Sequence, residues 1–421
     1  MIRILIDLGA RVLTAAAVAL LILFGRRGVR PPPFSSELGS RPGRDTGTLA
    51  LTKRWGYRAI VVLGALAVGS VLVAVSGIVP IAASGGHWAL TERILQFGKR
   101  RSVATYSLGI RVPQLDDPVL VLKGAGHFDS ACRPCHGSPT FDQPRLAERM
   151  TPRPPDLTGS VRRYDDQALF YLVKHGIKFT GMPAWPALQR EDEVWAMVAF
   201  LRKLPDLTRR EYEALARGPV EGAPREPLKD LLPPPEAPEA VTDSCSRCHG
   251  DDGLGRGNGA FPVLAGQHVA YLRATLHAYH SGQRHSGIME PVAAGLGPED
   301  IQQIAEYYAA LPWRRVNGRP PAIGDVERGR RIAHEGLPDR LVPACLSCHG
   351  QHEIRRNPHY ARLAGQYPDY LRLQLRLFRD RQRGGTPYAH IMQRVASQLT
   401  DESIADVAAY LATLPPVGQA P

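Results

Sequence analysis

Three stretches of the chain repeat one pattern of apolar and polar positions: "EDEVWAMVAFLRKLP", "PEDIQQIAEYYAALP" and "DESIADVAAYLATLP". Apolar residues fall at i, i+3, i+4 and i+7. They are Val194, Met197, Val198 and Leu201; Ile301, Ile304, Ala305 and Tyr308; and Ile404, Val407, Ala408 and Leu411. That spacing lays one apolar stripe along an α-helix. Acids crowd the first turn, where the helix dipole favours them. Pro205, Pro312 and Pro415 mark the ends, since a residue before proline avoids helical geometry. A different pattern stands near the N-terminus. Residues 59–86 contain no charged side chain, a run long enough to cross a bilayer as a helix, and a span is expected over 59–84. A shorter apolar run, 12–25, reads as a short span, a signal-like segment or sequence ahead of the true start. The "GRRGVR" that follows it is not a small-residue cleavage site, which favours a first span within 1–25.

Charge changes the picture in one respect. The formal net charge is +12, yet residues 1–58 alone carry +7. The remainder is close to balanced, which argues against a nucleic-acid partner. The basic loop at 26–58 lies on the cytoplasmic side by the positive-inside rule. Everything after the second span then faces the far side, the periplasm, and the lipid bilayer of the inner (cytoplasmic) membrane is the first expected partner. Aromatics are only 7 % of the 421 residues, sparse for the two to four domains that such a length allows.

The six cysteines supply the missing core material. All of them lie in three copies of C-x-x-C-H: "CRPCH" at Cys132, Cys135 and His136, "CSRCH" at Cys245, Cys248 and His249, and "CLSCH" at Cys345, Cys348 and His349. A zinc ribbon brings two C-x-x-C pairs together over roughly 15–20 residues, whereas these first cysteines stand 113 and 100 residues apart. C-x-x-C-H is the attachment signature of c-type haem. Residues i and i+3 share a helix face, so each cysteine pair can form thioethers to one haem edge while the histidine turns under the iron. Three covalent haems are expected.

A His/Met iron serves electron transfer, and an open sixth position serves binding or catalysis. Met182 in "FTGMPAW", Met289 in "SGIMEPVA" and Met392 in "AHIMQRVA" stand 46, 40 and 43 residues after their histidines. Each precedes one of the three repeated helices, so they are the expected sixth ligands. His175, His285 and His390 are the rivals. Met197 lies on an apolar helix face and reads as core, and Met150 comes too early after His136 to match the other repeats.

The alignment exposes a three-fold repeat in which the second and third copies share more. "PVLAGQHVAYLRATL" faces "ARLAGQYPDYLRLQL", whereas the first copy has "TPRPPDL" and "HGIKFTGMPAWP". On these residues, 240–421 resembles the dihaem periplasmic cytochromes of the c-four class. The first repeat resembles the single-haem cytochromes c of oxidase and dehydrogenase subunits, where "GMPAWP" carries the distal methionine. The resemblance implies His249 and His349 as proximal ligands and Met289 and Met392 as distal ones, with two haem domains about a pseudo-two-fold axis. It also implies a backbone carbonyl near Pro262 that orients the proximal histidine through its other ring nitrogen. Ala361 replaces that proline in the third repeat.

The expected fold is all-α, with three cytochrome c-like domains in tandem, each with a first helix carrying the haem cysteines. The expected order is a first span within 1–25, a basic loop over 26–58, a span over 59–84, a juxtamembrane segment over 85–117, a haem domain over 118–217, a Pro-rich linker over 218–239, and haem domains over 240–315 and 324–421. The expected function is a membrane-anchored trihaem carrier that takes electrons from an upstream donor to a haem–copper terminal oxidase. The alternative is the cytochrome subunit of a membrane-bound dehydrogenase. The carrier role makes no bonds, so it calls for no acid–base residues.

Overall fold

The structure is a computed structural model that describes residues 46–79, 81–218, 237–257, 259–313, 322–350 and 357–415. The span expected within 1–25, most of the basic loop and most of the Pro-rich linker lie outside the described residues. Those described form two bodies, 1–86 and 87–421, built of helices, with only isolated β-bridges besides.

The N-terminal body contains α1 (Thr46–Ser76). Its segment Trp55–Ser76 has a mean hydropathy of 2.5, and none of it is buried within the protein. The helix starts within the loop expected over 26–58 and runs into the span expected over 59–84. Lys53, Arg54 and Arg58 interrupt a hydrophobic run, but lysine and arginine are good helix formers, so the helix extends back into the basic loop. It stops at Ser76 because Gly77 turns left-handed (φ 68°).

The second body begins with α2 (Ala89–Tyr106), the stretch least readable from sequence. Repeat one follows with α3 (Pro118–His127), α4 (Asp166–His175), α5 (Glu191–Lys203) and α6 (Arg209–Arg217). Repeat two has α7 (Val269–His280), α8 (Met289–Ala294) and α9 (Pro298–Ala310). Repeat three has α10 (Val326–Glu335), α11 (Pro368–Arg379), α12 (Ala389–Ala396) and α13 (Asp401–Thr413). α2 is tied to repeat one, with Val103 packed on Ala168 and Leu172 of α4 and Tyr106 stacked on Tyr171 at 5.9 Å.

All twelve residues of the three predicted apolar stripes are buried, on α5, α9 and α13. They anchor three separate cores. α3 packs along α5 and α10 along α13, and a glycine sits at each crossing. A Cβ on Gly124 would lie 2.2 Å from the Ala196 carbonyl oxygen, and one on Gly329 would lie 2.0 Å from that of Asp406. Only glycine lets the paired backbones approach that closely.

One expectation fails in part. In repeat one α3 runs on through a wider π turn (Phe128–Cys132) into the haem motif. In repeat three the first helix ends at Gly336 (φ 77°), and "LSCH" forms a separate helical turn, Leu346–His349. Pro338 and Pro343 lie in the intervening loop and lack the N–H needed to continue the helix.

Repeats two and three are joined reciprocally through their shared "LAGQ". The Gln366 amide accepts from the Val263 N–H (3.0 Å) and donates to the Val263 carbonyl (3.0 Å). The Gln267 amide accepts from the Arg362 N–H (2.9 Å) and donates to the Arg362 carbonyl (3.1 Å). Val263 and Arg362 hold equivalent places, so the four bonds obey a pseudo-two-fold axis. Replacing Gln366 by alanine strands a buried N–H and C=O of Val263, each worth about 1–3 kcal/mol. The expected result is earlier loss of the contact between repeats two and three in denaturant, with repeat one unchanged.

Candidate haem sites

Each C-x-x-C-H histidine is oriented from behind by a carbonyl. Nδ1 lies 2.8 Å from the Pro155 oxygen for His136, 3.3 Å from that of Pro262 for His249, and 2.7 Å from that of Ala361 for His349. A carbonyl only accepts, so Nδ1 carries the hydrogen and Nε2 carries the lone pair, the tautomer an iron ligand needs. Replacement of proline by Ala361 leaves the carbonyl in place. Burial lowers the His249 imidazole to about 4 and also lowers His136, so neither gains a competing proton near neutral pH. The six cysteines form no disulfide. Burial pushes the Cys132 thiol up to about 12, and Cys245 and Cys345 to about 11, so in the protein alone these thiols are neutral.

Met182, Met289 and Met392 are all half-buried. Met182 sits in a loop, with its N–H on the Thr180 hydroxyl at 3.1 Å. Met289 opens α8, with its N–H on Ser286 Oγ at 3.0 Å. Met392 lies within α12, beside the cluster of Phe378, Ala389 and Ala396. Met197 is core, 1 % exposed. Met150 is closer to the site than its sequence position suggests, because a Cβ on Gly181 would lie 2.1 Å from the Met150 methyl. Among the rivals, His175 packs on Tyr171 at 4.8 Å, His285 faces Glu290 at 3.5 Å and His390 is exposed.

Repeats one and two meet at both ends of their sites. Asp129, 1 % exposed, lies in the π turn before Cys132. It accepts from the Tyr212 hydroxyl at 2.9 Å and pairs with Arg133, Arg217 and Arg247 at 3.1, 3.5 and 3.3 Å. Arg247 stands between Cys248 and its partner Cys245, so one carboxylate binds the haem motifs of two repeats. A Cβ on Gly126 would lie 3.1 Å from Cys248 Sγ. At the other end, Trp185, three residues past Met182, abuts Gly287, two residues before Met289. A Cβ there would lie 2.0 Å from the indole nitrogen.

Between repeats two and three lie two buried cations, Arg284 and Arg383. They are 4 % and 6 % exposed, hold equivalent places, and stack over Tyr279 at 4.6 Å and Phe378 at 4.3 Å. Both donate to Gln374 Oε1, at 3.2 and 2.6 Å, and Arg383 also donates to the Tyr271 hydroxyl at 2.8 Å. Among the described residues neither pairs with a carboxylate, and Arg383 Nε is buried without a hydrogen-bond partner. Burial acts to raise the Tyr271 phenol, yet Arg383 and Arg284 pull it down to about 8. A buried charge this poorly compensated is costly, and the haem propionates would supply the missing negative charge. The residues present therefore fit the predicted group. Replacing Arg383 by glutamine removes positive charge that disfavours the oxidised iron, so the expected result is a lower midpoint potential in repeats two and three and none in repeat one, read by redox titration.

Comparison with known proteins bears on the same segments. Residues 120–201 match the family described as cytochrome c oxidase, cbb3-type, subunit III. Residues 236–311 and 326–415 match the family described as cytochrome c. A thiosulfate dehydrogenase electron acceptor from Stutzerimonas stutzeri strain A1501 is 34 % identical over 41 % of this chain and 79 % of its own. Cytochrome c-552 from Acidithiobacillus ferridurans is 36 % identical over 42 % of this chain and 76 % of its own. A solved cytochrome c4 from Acidithiobacillus ferrooxidans has 33 % identity and a TM-score of 0.37, over 41 % of this chain and 99 % of that one.

Proposed function

This chain belongs to the cytochrome c family, whose members carry covalent c-type haem and transfer electrons, and from that premise we propose that it is a membrane-anchored trihaem relay feeding a terminal oxidase. Its haems are attached at Cys132 and Cys135, Cys245 and Cys248, and Cys345 and Cys348. His136, His249 and His349, together with Met182, Met289 and Met392, would hold the irons. Bound haem supplies a one-electron iron couple. The protein's part is to orient imidazoles through the carbonyls of Pro155, Pro262 and Ala361, to present thioether sulfur, to exclude water, and to fix the charge nearby.

The observation that carries the relay is the position of repeat two. It is bonded to repeat one through Asp129 and Arg247, and to repeat three through Gln267 and Gln366. Three centres held in one body suit stepwise passage along the chain. α1 is long and apolar enough to anchor that body, and the basic loop before it favours the periplasmic side for the haem domains. The match of repeat one to an oxidase subunit family supports an oxidase as acceptor.

A second reading, favoured by the relative named as a thiosulfate dehydrogenase electron acceptor, makes the chain the acceptor subunit of a periplasmic dehydrogenase. Oxygen uptake by oxidase-containing membranes supplied with the reduced full-length protein separates the two. The relay reading predicts uptake that depends on the added protein. Reduction by a dehydrogenase with no reoxidation by those membranes would favour the second reading.

A further inference from the structure

The third residue of each repeated last helix is polar: Glu193 in α5, Asp300 in α9 and Ser403 in α13. In two of them it closes its own helix. Asp300 accepts from the Gly297 N–H at 2.8 Å, and Ser403 from the Thr400 N–H at 2.9 Å. Glu193 does not; the N-terminus of α5 has no side-chain cap from its N-cap residue Arg190. Instead Glu193, 3 % exposed, reaches across to repeat two. It accepts from Ser286 Oγ at 2.6 Å and from the Gly287 N–H at 2.6 Å. The Trp185 indole N–H (3.2 Å) and the Arg190 guanidinium (2.9 Å) complete its four contacts. Arg190 also donates to the His285 carbonyl at 2.9 Å, so both buried charges of this pair hold the same loop.

That loop leads directly into Met289. A carboxylate paired with arginine can only accept, so the Ser286 hydroxyl points its hydrogen at Glu193. Its lone pairs are thereby aimed at the N–H groups of Ile288 (3.3 Å) and Met289 (3.0 Å). Ser286 thus holds two of the unpaired donors at the start of α8, and Glu193 holds Ser286. Repeat three lacks the device. Where repeat two has Ser286 and Gly287 before "IM", repeat three has Ala389 and His390, and the Ile391 N–H donates to the Tyr388 carbonyl at 3.0 Å rather than to a side chain. The serine–glycine pair occurs where a neighbouring repeat docks. The glycine is required there because a side chain would strike Trp185.

We propose that Glu193 is a positioning residue for Met289: through Ser286 it makes the docking of repeat one set how firmly the sixth ligand is held in repeat two. The proposal rests on the reading of Met289 as an iron ligand. It means that the middle centre of the relay acquires its properties only in the assembled chain, and that the three irons differ by design of their methionine loops rather than by ligand type.

The test uses the full-length, haem-loaded protein and two readouts: the far-red band of Met-ligated ferric iron, and the rate at which added imidazole displaces methionine. Met289→Ala is the reference and is expected to remove roughly one third of the band, the share of one haem in three. Ser286→Ala and Glu193→Ala are each expected to speed imidazole entry at that one haem about tenfold, the factor that ~1.4 kcal/mol of lost hydrogen bonding corresponds to. Ser286→Thr, which keeps a hydroxyl, is expected to restore the slow rate. If Met289→Ala leaves the band intact, the ligand assignment itself is wrong. If Met289→Ala removes its third while Ser286→Ala and Glu193→Ala leave imidazole entry at the parent rate, the ligand reading stands and the positioning role is overturned. Glu193→Ala speeding entry at all three haems equally would also overturn it, since that is general loosening.

Discussion

Exchanging Met182, Met289 or Met392 for histidine, one at a time, should each drop the midpoint potential of one haem in three while leaving the other two in place. Thioether sulfur is a soft, weakly donating ligand that favours the reduced iron, and imidazole donates more strongly and favours the oxidised iron. Axial ligation spans ~0.8 V across haem proteins, so a shift of a few tenths of a volt is expected, far larger than any effect of nearby charge. Spectroelectrochemical titration of each full-length variant is the check. Met150 and Met197 are the controls. Met197 is sealed in the core of repeat one, and its loss should cost stability without moving a potential. Met150 is the sharper control because its methyl touches Gly181, next to Met182. Should replacing Met150, and not Met182, move the potential of the first haem, the ligand role passes to Met150.

Replacing Asp129 by alanine should be the most damaging single change outside the haem motifs. The carboxylate is buried and serves Arg133, Arg217 and Arg247 together with the Tyr212 hydroxyl. Removing it strips the acceptor from the buried Tyr212 hydroxyl and the counter-charge from three arginines that solvent still reaches (21, 49 and 26 % exposed), so the cost lies toward the lower end of the about 3–5 kcal/mol of a fully buried pair. The loss should appear as joint destabilisation of repeats one and two, since Arg247 lies inside the second haem motif. Tyr212→Phe deletes only one hydrogen bond to the same carboxylate, and about 1–3 kcal/mol is expected. Denaturant unfolding followed at the haem absorption of the full-length protein measures both. Equal losses for the two variants would mean that Asp129 matters through Tyr212 alone.

What could be read from sequence was local. The stripes of α5, α9 and α13 follow from a 3.6-residue period that needs no knowledge of the neighbours, and the C-x-x-C-H copies carry their chemistry within five residues. "LAGQ" was visible as a repeat, and only its bonding, Gln366 to Val263 and Gln267 to Arg362, required coordinates. The features that were missed are contacts between repeats. Glu193 looks like an ordinary acid in a first helical turn, where a dipole argument suffices, yet its partners Ser286 and Gly287 lie more than ninety residues on. Asp129 gives no signal at all, because three arginines converge on it from separate places. Arg284 and Arg383 are buried by contacts between repeats two and three, which no local pattern announces. The signal that could have exposed Glu193 was already present, in the contrast between "SGIM" and "AHIM" before two otherwise matching methionines. The break between α10 and the third haem motif has a local cause in Pro338 and Pro343, which lack the N–H needed to continue a helix.

The account stands on three irons with His/Met ligation in one chain. Near-infrared magnetic circular dichroism of the oxidised full-length protein, with haem counted per polypeptide, tests that most directly. The expected result is three haems per chain, all low-spin, all with the His/Met signature, in a protein that must be extracted from membranes. Fewer than three haems, or one that is high-spin or bis-histidine, would contradict the ligand set and with it the three-centre relay.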